Sequence, residues 1–177
     1  MTRIMMVTGA GRGIGRATAI LAAKADYSVC INYAEDVQSA EETCAECAGT
    51  GVAVNIFKAN FADPSDVRAL FAHCDNTLGP VAALINNAGI IGRSVKLADL
   101  ESSVLLDTFA VNVPGSIYCC QEAIQRMSNK LGGKGGAIVN ITSAAAYTGS
   151  PNEYVHYAAS KAALETLTIG LAEEVGP

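Results

Sequence analysis

Tyr157 and Lys161 stand four positions apart in the stretch YAASK. On a helix, residues at that spacing rise from one face, so a phenol and an ammonium can point toward one ligand. A free phenol has a pKa of about 10, which leaves only about one molecule in a thousand ionised at neutral pH. A neighbouring ammonium favours the phenolate, and a one-unit change in pKa corresponds to about 1.4 kcal/mol. Such a phenol can give its proton to a carbonyl oxygen as hydride reaches the carbon, or take the proton of an alcohol in the reverse direction. Ala158, Ala159 and Ser160 keep the helix between them slender. The same pair can also merely decorate a helix surface, so its company decides. Ser143, in IVNITSAA, lies just beyond a strand end, where a parallel sheet presents groups to its ligand crevice. Its hydroxyl could hold the carbonyl oxygen that Tyr157 protonates, although a serine there also serves as a turn former or cap.

A second constellation lies near the N-terminus. VTGAGRGIGRATAIL places glycines at 9, 11, 13 and 15 between an apolar run and a helical pattern. Gly9 suits the unusual backbone of a tight turn, while Gly13 and Gly15 let a ligand and the sheet approach the helix closely. The helix N-terminus would then offer free N–H groups to a pyrophosphate. Ile14 occupies the place where the commoner GxGxxG fingerprint needs its last glycine. The next strand leaves as CINYAED, with Asn32 and Tyr33 where a carboxylate would bind the ribose 2′-OH of NAD. Arg12 can offer a fork to a 2′-phosphate. NADP(H) is therefore favoured and NAD(H) remains possible. In the alternative, Arg12 is a solvated loop residue and Glu35 or Asp36 folds back as the acid.

Composition narrows the remaining classes. The net charge is −5, with Lys and Arg scattered, which gives no footprint for nucleic acid or an anionic membrane. The N-terminal apolar run is too short for a signal peptide, and no apolar run approaches a membrane span, so a cytosolic protein is expected. Six cysteines then read as reduced, and CAEC at 44 to 47 lacks a second pair or a nearby His. His73 and His156 are the only histidines, so no metal is expected.

These residues need a scaffold. Apolar runs at Ile4–Thr8, Ser28–Asn32, Val52–Lys58, Ala82–Asn86 and Gly136–Thr142 read as strands covered on both faces. Helical patterns fall at Gly13–Ala25, Asp36–Ala48, Pro64–Leu78, Glu101–Asn129 and Tyr154–Val175. Asp63 caps the third, with Pro64 at its first position. Pro114 lacks an N–H, leaves the carbonyl of Ala110 without its helical partner and disturbs the helix around Asn112. The alternation predicts a single domain over 1–177: a doubly wound α/β parallel sheet, Rossmann-like, in three αβα layers.

With TGAGRGIG at 8 to 15, NNAG at 86 to 89, NVPG at 112 to 115, the Ser143 region and YAASK in that order, the chain resembles the short-chain dehydrogenase/reductase family. The resemblance implies a carbonyl reductase or alcohol dehydrogenase. Tyr157 would be its acid/base, Lys161 would tune Tyr157 and bind the nicotinamide ribose, and Ser143 would orient the substrate oxygen. It implies that Asn112 supports a water-linked proton path behind Lys161. Asn86, Ala88 and Gly89 would line the adenosine ribose and steady the sheet, and Asn60, with Phe61 beside it, would meet the adenine. Tyr147 and Tyr154 would touch substrate or a lid. It further implies a homodimer or homotetramer paired through the long fourth helix and the Tyr157 helix. Family members continue through a sixth strand, a lid and a seventh strand, so the chain is expected to be incomplete at its C-terminus, with Gly136–Thr142 left as an edge. A nucleotide-binding regulator or scaffold on the same fold is the rival reading, and a redox protein built on Cys44 and Cys47 a distant third.

Overall fold

The computed structural model describes residues 3–176. Five strands, β1 (Ile4–Val7), β2 (Ser28–Tyr33), β3 (Val54–Lys58), β4 (Ala83–Asn86) and β5 (Ala137–Asn140), form one sheet in the order β3-β2-β1-β4-β5. Every pairing is parallel. Met5 pairs with Val29 on one side and Ala83 on the other, which makes β1 the central strand. After β1 the chain winds outward through β2 and β3, then returns to β4 on the opposite flank. The order reverses between β1 and β4, and a ligand crevice opens there beyond the strand ends.

Helices α1 (Gly13–Lys24) and α2 (Val37–Ala48) cover one face. There Val7, Val29, Ile31 and Ile85 pack against Ala19, Ala22, Ala23, Ala40 and Cys47. The small helical residues let α1 lie close to the strands. On the other face α3 (Pro64–Thr77) and α5 (Ser116–Met127) cover Met6, Cys30 and Leu84 with Leu70, Phe71, Cys74, Cys119 and Ala123. Asp63 caps α3 by accepting the Ser65 N–H at 2.8 Å, with Pro64 at the first helical position.

The expected fourth helix is interrupted. α4 (Ser102–Ala110) passes through a π-helical turn at Val111–Gly115 into α5. Pro114 lies inside that turn and supplies no N–H, so the wider winding absorbs the missing bond. The path Ser102–Met127 is long and apolar enough, by length and composition, to cross a membrane, contrary to the sequence expectation. Here it lies across the domain, burying Asn112, Ser116, Cys119, Cys120 and Ala123.

A short helix, α6 (Ala145–Thr148), precedes α7 (Val155–Val175), which packs on α4, α5, α6 and β5. The expectation that all five strands are covered on both faces fails for β5. Val139, paired with Ile85, faces the α1–α2 side beyond the reach of those helices and is 45% exposed.

Candidate active site

The crevice begins with two strand ends stitched side by side. Thr8 Oγ1 accepts the N–H groups of Asn87 and Ala88, each at 2.9 Å, and donates to the Ile85 carbonyl at 3.3 Å. Asn87 Nδ2 returns to the carbonyls of Thr8 (2.8 Å) and Gly9 (3.1 Å). A cleft of ≈ 980 Å³ runs from the glycine turn past the ends of β2 and β3 to Asn87–Ile90, Asp107 and Val111.

Two glycines of the turn answer different local demands. Gly13 has φ +57° and faces open space, so conformation selects it. Gly15 is selected by packing, because a Cβ there would fall 2.5 Å from Asn87 Nδ2 and 2.6 Å from the Gly9 carbonyl. At the start of α1, Arg12 makes no side-chain cap, whereas Asp36 and Asp63 cap α2 and α3. The first N–H groups of α1 are thus left for a ligand, which suits a pyrophosphate beside a glycine-rich turn. Ile14, 63% exposed, lines the cleft. The residues present therefore fit a dinucleotide.

Further along the wall, Asn32, Tyr33, Asn60, Phe61, Ala88 and Gly89 line the cleft. Two expected roles change. Asn32 accepts the Gly9 N–H at 3.1 Å and donates to the carbonyls of Tyr33, Phe57 and Ala59, so backbone consumes its carboxamide. It ties β2 and β3 to the glycine turn. Asn86 lies away from the cleft, 2% exposed, donating to Asn140 Oδ1 at 2.8 Å, the Ser116 carbonyl and Cys120 Sγ. It steadies the sheet and does not line the ribose site, because neighbouring residues at a strand end point to opposite faces. Asn87 takes the cleft side.

Asp36 is likewise engaged. Hydrogen bonds from Ser39 Oγ (2.6 Å) and Ser39 N (3.0 Å) hold its carboxyl below the ordinary range, with the Arg12 guanidinium adding to the effect. Arg12 is exposed, and Lys58, Ser39 and Glu35 share its wall of the cleft.

At the far end, α7 brings Tyr157 and Lys161 together. Lys161 is 4% exposed, donates to the Ile141 carbonyl at 2.8 Å, and places Nζ 5.8 Å from the Tyr157 ring centre. Desolvation lowers its pKa from the ordinary lysine value. Gly89 lets the cleft loop reach this ammonium: a Cβ there would lie 3.3 Å from Lys161 Nζ and 3.1 Å from Asn112 Oδ1. Ser143 lies at the end of β5, half-buried, where Oγ accepts the Ala145 N–H at 3.2 Å and opens α6. Tyr147 projects from α6, 82% exposed, and Tyr154 is half-buried just before α7.

Asn112 is fully buried in the π-helical turn. Its Oδ1 accepts the Ile90 N–H and its Nδ2 donates to the Ile90 carbonyl, both at 2.8 Å, as a neighbouring strand would. Its own carbonyl accepts Ser116 Oγ at 2.9 Å. Sequence reasoning singled out neither Asn87 nor Lys58, which line the cleft, nor the partner of Asn112, Ser160, whose Oγ accepts from Nδ2 at 2.9 Å. Asn87 sits within NNAG, and strand alternation from Leu84 is the signal that could have found it.

The cysteines are packing residues. Burial pushes the Cys47 thiol up to about 11 and also raises Cys44. Neither is poised as a thiolate at neutral pH.

The family model described as "short chain dehydrogenase" matches residues 3–177. An uncharacterized oxidoreductase, YgfF, of Escherichia coli (strain K12) is 44% identical over 172 residues, covering 97% of this chain and 70% of that protein. The 3-oxoacyl-[acyl-carrier-protein] reductase FabG of Staphylococcus aureus (strain Mu50) is 35% identical over 175 residues, covering 99% and 69%. The crystal structure of acetoin dehydrogenase YohF from Salmonella typhimurium superposes with a TM-score of 0.91 at 33% identity, covering 99% of this chain and 71% of that one. On this agreement of sequence, fold and crevice, the chain belongs to the short-chain dehydrogenase/reductase family of NAD(P)(H)-dependent oxidoreductases.

Proposed function

We propose that the protein interconverts a carbonyl and an alcohol using NADP(H), with Tyr157 as the proton donor or acceptor. The observation that carries this reading is the Lys161 ammonium, buried beside the Tyr157 ring and next to Gly89 of the cleft wall. When bound, the nicotinamide supplies or accepts the hydride. As the carbonyl carbon gains hydride, its oxygen gains negative charge, and the Tyr157 hydroxyl gives up its proton to that oxygen. The nearby Lys161 charge favours the phenolate left behind. Ser143 Oγ, at the end of β5, orients the substrate oxygen. Two of the relatives are named for a 3-oxoacyl reductase and an acetoin dehydrogenase activity, and both names fit chemistry on a carbonyl–alcohol pair.

Two cations support NADP(H) over NAD(H). Arg12 and Lys58 stand on the cleft wall where Asn32 is consumed and Asp36 is capping, and Glu35 is the acid left on that wall. Leu105, Leu106 and Ile169 expose apolar surface on α4 and α7 that a second copy would cover in a homodimer or tetramer. Sedimentation of the full-length protein tests the pairing. Titration with NADPH and NADH tests the cofactor. Preference for NADPH that falls in Arg12→Ser and Lys58→Ser is expected. Preference for NADH that Glu35→Gln weakens would overturn the cofactor assignment.

A further inference from the structure

We propose that Ser160 is a positioning residue: acting through Asn112, it holds the loop after β4 against the turn of α7 that carries Tyr157 and Lys161. The proposal rests on the roles given to those two residues above.

Ser160 has no exposed surface, although it is a polar residue on a helix otherwise rich in alanine. Its hydroxyl accepts from Asn112 Nδ2 at 2.9 Å and donates to the Tyr157 carbonyl at 2.7 Å. The direction of both bonds is forced. Ile90 presents an N–H and a C=O to the Asn112 carboxamide, so Oδ1 must face the N–H and Nδ2 the carbonyl. The second Nδ2 proton then needs an acceptor, and Ser160 Oγ is the one in reach. With that lone pair taken, the serine proton is sent to the Tyr157 carbonyl. Ile90, Asn112, Ser160 and Tyr157 thus form a chain in which reversing any one donor breaks the next.

The chain also has a consequence for the site. Gly89 precedes Ile90 and is wedged between Asn112 Oδ1 and Lys161 Nζ. Fixing Ile90 therefore sets the gap between the cofactor cleft and the ammonium. An alanine at 160 would leave a buried amide proton without a partner, and Asn112 would have to turn or shift, taking the loop with it.

The test compares Ser160→Ala, Asn112→Ala and the double variant in the full-length protein, with Val67→Ala in α3 as a control for lost stability alone. For Ser160→Ala we expect the Kd for NADPH to rise and kcat to fall, each by about tenfold, with the KM for the carbonyl substrate nearly unchanged. Val67→Ala lowers Tm without these changes. The double variant should be no worse than Asn112→Ala, because both substitutions break one chain. If Ser160→Ala lowers Tm alone, or the two losses simply add, Ser160 has no positioning role. Wild-type turnover that depends on Tyr157 but is untouched by Ser160→Ala would overturn this proposal and leave the acid–base reading standing. Wild-type turnover that does not depend on Tyr157 would overturn both.

Discussion

Replacing Lys161 with methionine should make the protein more stable and inactive at once. The ammonium is 4% exposed and, among the described residues, donates to the Ile141 carbonyl. Desolvation is what lowers its pKa, so folding carries an unfavourable charge burial at neutral pH. Methionine keeps most of the volume and removes the charge. Burying a polar group without full compensation costs about 1–3 kcal/mol and a charge costs more, and each kcal/mol moves the Tm of a domain of this size by about 2–4 °C. Lys161→Met should therefore raise Tm by several degrees at pH 7. The sign of the pH dependence follows from the depressed pKa. Below it the lysine is charged both folded and unfolded, and the full penalty applies. Between that pKa and the ordinary lysine value of about 10.4, the folded protein loses its proton first, and wild-type stability recovers relative to the variant. Thermal melts of both proteins across pH should show a Tm difference that is widest at neutral pH and narrows as the solution becomes alkaline. Turnover should fall by about 10²–10⁴ through loss of assisted proton transfer. A variant that melts below wild type, or a gap that widens with pH, would refute the burial argument.

Other consequences can be checked with simpler measurements. Gly15→Ala should cost about 3 kcal/mol or more, since the new Cβ meets Asn87 and the Gly9 carbonyl, whereas Gly13→Ala should cost about 1–2 kcal/mol from backbone strain alone; denaturant melts rank the two. A thiol-alkylating reagent at neutral pH should leave Cys47, Cys119 and Cys120 unmodified in the native protein, because burial raises all three thiols, and intact mass reads the outcome. Rapid labelling of Cys47 with loss of activity would restore the redox-thiol reading.

Much of this architecture was legible because its signals are periodic. The five strands and their alternation with helices follow from β-branched runs and glycine punctuation, and Pro114 announced a break that the backbone meets with a π-helical turn. Four of the five strands came out one to three residues too long, because apolar character continues past the last ladder bond, as at Val52 and Ile141, whereas β2 runs one residue further than expected, to Tyr33. α6, at four residues, is too short to carry a helical period. Asn86 and Asn87 could not be told apart by type, since only the pleat decides which side chain meets the cleft. Asn32 stood where an acid was sought, but its bonds to three carbonyls depend on β3 and the glycine turn arriving together. Ser160 read as a small spacer because the side chain that donates to its hydroxyl, Asn112, lies far away in sequence.

Tyr157→Phe tests the acid–base assignment most directly, since it removes one hydroxyl and keeps the ring beside Lys161. With NADPH and a carbonyl substrate, the full-length variant should bind cofactor within about twofold of wild type while kcat falls by about 10²–10⁴. A Tyr157→Phe variant that oxidises NADPH at the wild-type rate would contradict the account.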